Sequence, residues 1–253
     1  MSTSAMCART HSTESKVDMQ FSVSRGLLPM MLAASLTCLG LGANAQPAGL
    51  LYDPEPPLDS AYVRVVLASR DGVVDVRVDG RPRIQKLGAG EASEYMVLAA
   101  GQHTLSVHPA GKPKAYLSTT LDVVRGRAMT VAFPALQVDT LPVVFEDKAN
   151  SNKLKALVAV YHLDAKAGPL DVLTADGNTK VFSAVTYGVA ASIQVNPIST
   201  ELIATKAGEK APKARTTLTM TQGGTYSILL LPGDGRKLNA RATQNKIERY
   251  TGK

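Results

Sequence analysis

Apolar residues alternate with polar ones at every second position along most of the chain after Ala61. Between positions 74 and 79, for example, valines alternate with charged residues, and Gly80 follows to complete an Asp79-Gly80 pair. Period-two alternation is typical of half-buried β-strands, and an Asp-Gly pair after such a segment indicates a tight hairpin turn. No segment before Pro134 has a convincing helical period. The pattern therefore predicts an all-β protein.

Turn signals of Gly, Pro and Asn divide this alternation into short strands. In the first half we predict strands near 61–68, 74–79, 92–98, 103–108, 115–123 and 128–133. In the second half we predict strands near 154–161, 170–174, 179–185, 191–195, 199–204, 215–220, 225–231 and 238–243.

The two halves are similar to each other in the order of their motifs. Asp79-Gly80 follows the second strand of the first half, and Asp176-Gly177 stands at the corresponding place in the second half. Each half also closes on an apolar strand that ends in proline, at Pro134 and Pro232. A repeat of this length fits a small sandwich domain. We predict two tandem β-sandwich domains at 46–136 and 153–253, joined by a linker at 137–152; the alternative is one larger barrel or sandwich.

The N-terminal segment predicts export. Arg25 precedes an apolar run at 26–36, and the small-residue triplet Ala43-Asn44-Ala45 follows. This order is typical of a secretory signal peptide, and breaks such as Pro29 disfavour a membrane-spanning helix, which needs roughly 20 apolar residues. We predict a signal peptide over 1–45 with cleavage after Ala45. Translation from Met19 would give it a polar lead of ordinary length.

Cysteine content and charge then limit the chemistry and the partners. Cys7 and Cys38 both lie in the predicted signal peptide, so the mature chain would have no thiol nucleophile, cysteine metal site or disulfide. The segments 206–215 and 236–253 carry net charges of +3 and +5. Such local basic surface favours an acidic partner, namely anionic polysaccharide, lipid headgroups or an acidic protein face. The alternative is solvated loop lysines. For an exported protein we predict no nucleic-acid partner.

Residues suited to catalysis are sparse. His103, His108 and His162 are the histidines of the predicted mature chain, and their spacing does not fit a metal site. We interpret His103 and His162 as rim or core residues and His108 as exposed. Nucleophile-elbow, phosphate-loop and dinucleotide motifs are absent from the sequence. We predict no enzyme activity, no metal and no cofactor; the alternative is an esterase or acetyl carrier that uses Ser118, Ser183 or His108.

Short motifs beyond residue 50 carry a family resemblance. They are Leu51-Tyr52-Asp53-Pro54, Ala61-Tyr62-Val63-Arg64-Val65, Lys153-Leu154-Lys155, Leu173-Thr174-Ala175-Asp176-Gly177 and Val195-Asn196-Pro197. In this order they resemble AlgF, the periplasmic accessory family of bacterial alginate O-acetylation. Asp53 stands where that family tends to have glycine, and the 206–215 stretch is longer, so another acetylated exopolysaccharide remains an alternative.

The resemblance implies a non-catalytic periplasmic adaptor in exopolysaccharide O-acetylation, with alginate as the leading polymer. Its partners would be periplasmic and membrane-associated O-acetyltransferase subunits, and the anionic polymer is a further candidate. The competing hypothesis is a free-standing polysaccharide-binding or adhesion module of the envelope. Candidate contact residues are exposed tyrosines, on which sugar rings could stack, and basic residues: Tyr52, Tyr62, Arg64, Lys210, Arg215 and Arg241. Arg64 points away from the face of Val63 and Val65 and is expected to be exposed.

Overall fold

The computed structural model describes residues 55–70, 72–235 and 237–251. The predicted signal peptide and Tyr52 lie outside these residues. The described chain consists of strands and contains no helix, which confirms the all-β prediction. Accordingly, this part of the chain has no helix that could span a membrane.

Eight strands lie in each half of the described chain. Those of the first half are β1 (Ser60–Leu67), β2 (Val73–Val78), β3 (Arg81–Gly88), β4 (Met96–Ala99), β5 (Gly101–Pro109), β6 (Leu117–Val123), β7 (Ala128–Phe133) and β8 (Val143–Asp147). Those of the second half are β9 (Ala156–His162), β10 (Leu170–Thr174), β11 (Lys180–Val185), β12 (Ala190–Val195), β13 (Ser199–Lys206), β14 (Pro212–Thr219), β15 (Thr225–Pro232) and β16 (Leu238–Gln244).

These strands form four four-stranded sheets. Sheet 1 has the order β4-β1-β7-β8 and sheet 2 the order β3-β2-β5-β6; together they make the first sandwich. Sheet 3 has the order β12-β9-β15-β16 and sheet 4 the order β11-β10-β13-β14; together they make the second sandwich. The predicted pair of β-sandwiches is confirmed.

The second sandwich repeats the topology of the first, strand for strand. Adding eight to each strand number of sheets 1 and 2 gives the orders of sheets 3 and 4. In each sandwich, one central pair is parallel, β1 with β7 and β9 with β15, while the other pairs are antiparallel. The repeat seen in the sequence is therefore present in the fold. Asp79 and Gly80 both have positive φ, at 51° and 77°, as the tight β2–β3 turn requires.

Three apolar cores hold the layers together. Alternate residues of β1, such as Val63 and Val65, point into the first core between sheets 1 and 2. The second core lies between sheets 3 and 4 and includes Val158 and Ile228. The third core lies between sheet 1 and sheet 3, and we call this contact the seam. Its buried residues are Val66, Ala68, Ala132, Phe145, Ala159, Tyr161, Leu163, Leu229 and Leu231. Central strands β1, β7, β9 and β15 therefore bury side chains on both faces.

Two strands lie where the sequence analysis predicted none. Edge strand β3 combines Pro82 with several charged residues. The register of its pairing with β2 shifts near Lys86, whose N–H donates to Asp75 Oδ1 at 2.8 Å. Charges and proline are common on edge strands, and here they conceal the alternation. Strand β8 falls inside the predicted linker 137–152 and pairs antiparallel with β7 as an edge of sheet 1. The segment 137–152 is thus partly built into the first sandwich; the domain boundaries themselves stay predictions.

The chain after β16 returns to the first sandwich. The Tyr95 N–H donates to the carbonyl of Lys246, and the Glu248 N–H donates to the carbonyl of Tyr95. The Glu248 carboxylate accepts the Val97 N–H at 2.9 Å and pairs with Arg83. The described part of the basic C-terminal segment is therefore attached along β4, the edge of sheet 1.

Candidate functional site at the seam

A buried arginine lies at the centre of the seam. Arg64 on β1 is 1% exposed. Its Nε donates to Thr130 Oγ1 at 2.8 Å, Nη1 to Asn245 Oδ1 at 2.7 Å and Nη2 to Ser227 Oγ at 2.8 Å. Thr130 belongs to sheet 1, whereas Ser227 and Asn245 belong to the second sandwich. One guanidinium group thus joins both sandwiches.

A carboxylate completes this cluster. Asp147, at the end of β8, accepts hydrogen bonds from Thr130 Oγ1 at 2.6 Å, Tyr95 OH at 2.8 Å and Tyr161 OH at 2.6 Å. The Thr130 hydroxyl therefore links the Arg64 cation to the Asp147 anion. We call these seven residues the Arg64 cluster: Arg64, Tyr95, Thr130, Asp147, Tyr161, Ser227 and Asn245.

The two tyrosines hold the arginine on their ring faces. Arg64 Cζ lies 4.7 Å from the ring centre of Tyr95 and 5.2 Å from that of Tyr161, within the range of cation–π attraction. Burial raises the pKa of both phenols, to about 12 for Tyr161, although the positive charge of Arg64 opposes the shift. Both hydroxyls therefore stay protonated and donate to Asp147 at any ordinary pH.

A cleft of about 670 Å³ opens beside the Arg64 cluster. Tyr62, Tyr95, Arg127, Glu146, Asp147 and Lys148 are among its lining residues. Arg127 and Glu146 form an ion pair at the rim. The oxygens of Asp147 already accept three hydroxyl donors, from Thr130, Tyr95 and Tyr161. The cleft therefore combines the ring of Tyr62 with charged and hydrogen-bonding groups.

The structure places the predicted contact residues at different sites. Tyr62 is half-buried and lines the cleft. Arg64 does point away from Val63 and Val65, but the expectation that it is exposed was wrong, because sheet 3 covers that face of β1. The assignment of these residues to ligand or partner binding stays a prediction.

The predicted basic contacts lie on the second sandwich. Lys210 lies before β14 and Arg215 lies on it, and both are exposed. Arg215 forms an ion pair with Glu201 at 3.4 Å. Arg241 on β16 donates to the carbonyl of Gly90 at 3.1 Å and lies 3.5 Å from the Glu91 carboxylate. Arg241 thus contacts the first sandwich across the seam.

Two histidines have structural roles. His103 Nδ1 lies 2.7 Å from Asp79 Oδ2, and Nε2 lies 2.9 Å from the carbonyl of Ala99. Burial lowers the pKa of His103, but these two acceptors outweigh it and raise the pKa overall. His162 is fully buried, its Nε2 lies 2.7 Å from the carbonyl of Gly168, and burial lowers its pKa.

His108 differs from the prediction. It is 6% exposed, so the expectation of an exposed side chain was wrong; the loop at Pro113 covers it. Its Nδ1 lies 2.9 Å from the carbonyl of Pro113, and its Nε2 lies 2.9 Å from Ser106 Oγ. The structure therefore pairs His108 with Ser106, whereas the Ser118 hydroxyl donates to the carbonyl of Leu105.

Sequence reasoning missed most of the Arg64 cluster, although one signal was available. Thr130 and Ser227 are polar residues that each precede an apolar run, and their separation equals that of Asp79 and Asp176. Asp147 gave no such signal because it stands in the predicted linker. Among the described residues, no three His, Cys, Asp or Glu side chains form a group that could hold a metal ion.

Fold and site together define an all-β double sandwich joined through a buried polar cluster. Residues 61–173 match the family model of the domain of unknown function DUF4397. The chain is similar to the alginate biosynthesis protein AlgF of Pseudomonas putida, with 26% identity over 83% of this chain and 90% of that protein. AlgF of Pseudomonas fluorescens is 28% identical over 83% of this chain and 89% of its own. The resemblance to AlgF is confirmed.

A solved structure of the C-terminal domain of AlgF from P. aeruginosa also matches. It is 26% identical, covers 37% of this chain and all of its own, and has a TM-score of 0.31.

Proposed function

We propose that this chain is a non-catalytic periplasmic adaptor in the O-acetylation of an exopolysaccharide, with alginate as the polymer. The similarity to proteins named for alginate biosynthesis, over more than four fifths of the chain, carries the proposal. In this role the protein binds periplasmic and membrane-associated O-acetyltransferase subunits and holds them in position without transferring the acetyl group itself.

The construction of the seam supports a scaffold role. Arg64 and Arg241 each contact the opposite sandwich, and the third apolar core lies between sheet 1 and sheet 3. A scaffold benefits from such rigid coupling, because two surfaces on different sandwiches then keep a fixed spacing. The cleft beside Asp147 and Tyr62 supports a contact with the polymer, since it offers an aromatic ring and hydrogen-bonding groups.

An esterase is the second candidate, and the Ser106–His108 pair favours it. A hydroxyl that donates to an imidazole oriented by a third group is the usual arrangement of an activated serine. However, the two residues are two positions apart on one face of β5, and neither lines the cleft beside the Arg64 cluster.

Two measurements on the purified exported protein separate these functions. In a pull-down from periplasmic and membrane extract at low and moderate salt, we expect recovery of O-acetyltransferase subunits. With a chromogenic acetyl ester, we expect no turnover above that of the His108→Ala variant. If no such subunit is recovered, the adaptor function is contradicted. If the protein turns over the ester and both His108→Ala and Ser106→Ala abolish that turnover, the protein is an esterase.

A further inference from the structure

A groove lies at the end of the seam opposite the cleft of the Arg64 cluster. Ala128, at the start of β7, lines the cleft, whereas Pro134, just past the end of β7, lines the groove. The groove has a volume of about 580 Å³ and takes its walls from both sandwiches. Six of its lining residues are Ser69, Arg70, Leu136, Leu163, Lys166 and Tyr187. We call it the seam groove.

The seam groove carries two cations that are available to a ligand. Arg70 and Lys166 are exposed and also line an adjoining hollow of about 530 Å³. Within the described chain, neither side chain forms an ion pair. One carboxylate, Asp164, also lines the seam groove, but it is only 9% exposed and accepts the backbone N–H of Lys166 at 3.0 Å. The positive charge of the seam groove therefore suits an acidic ligand.

Open strand edges continue from this groove. Among the described strands, β8 pairs only with β7, and β12 pairs only with β9. These two edges lie on the same side of the seam, because Val143 and Ala190 both pack against the third core. A Cβ built on Gly188, which follows Tyr187 of the groove, would lie 3.8 Å from Val143 Cγ1. The unpaired backbone groups of an edge strand are a template for a further strand.

The surface along the part of these edges next to the seam groove is apolar, whereas the far end of β8 carries Glu146 and Asp147. Leu141 is 82% exposed and Val144 is 44% exposed, and Val138, Val189 and Ile193 are exposed as well. Asp139 is the single charged residue in the ranges 138–144 and 187–193. Exposed apolar surface next to a groove is typical of protein contacts.

We propose that the seam groove and the β8 edge bind an extended segment of an O-acetyltransferase subunit. That segment pairs with β8 and places apolar side chains against Val144 and Tyr187. Its carboxylates lie on Arg70 and Lys166. Strand addition supplies affinity through the main chain, and the pockets and charges supply specificity. This inference rests on the proposed function for the identity of the partner.

Three variants of the full exported protein test this surface. Val144→Asp puts a charge on the β8 edge, and Arg70→Glu with Lys166→Glu reverses the charge of the seam groove. Val124→Asp is the matched control, because Val124 is 53% exposed and follows β6, away from the seam groove. Thermal unfolding of each variant checks the fold. Binding to each purified O-acetyltransferase subunit is measured by interferometry at two salt concentrations.

We expect Val144→Asp and the charge-reversed variant to bind at least about tenfold more weakly, as the loss of a central contact does, while Val124→Asp binds like wild type. The charge-reversed variant should also show the opposite salt dependence, because salt screens the repulsion between its glutamates and the carboxylates of the ligand. If wild type binds a subunit and all three variants bind it equally well, the proposed binding surface is wrong, whereas the proposed adaptor function is still supported. If wild type binds none of the subunits, both proposals are overturned.

Discussion

Replacing Arg64 by methionine tests the Arg64 cluster, because methionine keeps much of the side-chain volume and removes the charge and its three donors. Thr130, Ser227 and Asn245 then lose the hydrogen bonds that they accept from the guanidinium group. The Asp147 carboxylate loses the cation that Thr130 links to it. We expect the free energy of unfolding to fall, and the seam to weaken more than either sandwich.

The size of the loss follows from which groups can find new partners. A hydrogen bond to a charged group contributes about 1.5–3 kcal/mol, but the three losses do not add. Ser227 Oγ already donates to Asn245 Oδ1 at 2.8 Å, and the Thr130 hydroxyl already donates to Asp147. Removing one partner from a buried charged network costs about 3–5 kcal/mol. We expect about 3 kcal/mol for Arg64→Met, which is a large share of a typical stability of about 5–15 kcal/mol.

The assay is equilibrium unfolding in urea, followed by far-UV circular dichroism and by tyrosine fluorescence, since the chain has no tryptophan. Arg127→Met is the matched control, because its exposed ion pair with Glu146 should contribute less than about 1 kcal/mol. In the double variant Arg64→Met with Asp147→Asn, the free energy of unfolding should fall by about 1–2 kcal/mol less than the sum of the two single falls, because the two residues belong to one network. A loss for Arg64→Met no larger than that for Arg127→Met would show that the Arg64 cluster does not stabilise the seam.

Further predictions concern single groups outside the seam. Asp171→Ala should lower the free energy of unfolding by about 2–4 kcal/mol, because two backbone N–H groups and a lysine lose their buried acceptor; urea unfolding measures it. Thr205→Val should be neutral or stabilising by up to about 1 kcal/mol, since its buried hydroxyl has no partner among the described residues; a loss above about 1 kcal/mol would contradict this. Burial holds the pKa of His162 below the usual 6.5, so its contribution to stability is lost as pH falls below 6.5 and through that lowered pKa; His162→Gln should lack this loss. The raised pKa of His103 acts in the opposite direction, so its contribution is lost as pH rises through that pKa. In NMR titrations, His103 should titrate above His162, and Asp79→Asn should lower the pKa of His103.

The sequence predicted the strands and the repeat because both depend on local alternation and turn chemistry. The Asp79-Gly80 turn, for example, is specified by two adjacent residues. Edge strands β3 and β8 could not be predicted in this way, because proline and charges at an edge disturb the alternation. Their pairing depends on β2 and β7, which lie elsewhere in the chain.

The Arg64 cluster could be predicted only in part. Alternation along β1 correctly predicted that the Arg64 side chain points away from the first core. It could not show that a second sandwich covers the other face, because Ser227 is 163 residues away in sequence. The burial of His108 escaped prediction for a related reason: the covering group is a loop carbonyl, at Pro113, and not a patterned strand.

The central claim, that this protein is an adaptor in exopolysaccharide O-acetylation, is tested most directly by the acetyl content of the secreted polymer. The gene is deleted in the producing strain, and the deletion is complemented with wild type or with His108→Ala. We expect the deletion strain to secrete polymer without O-acetyl groups, and both complemented strains to regain them. Unchanged acetylation in the deletion strain would show that this protein is not required for acetylation and would overturn the adaptor proposal.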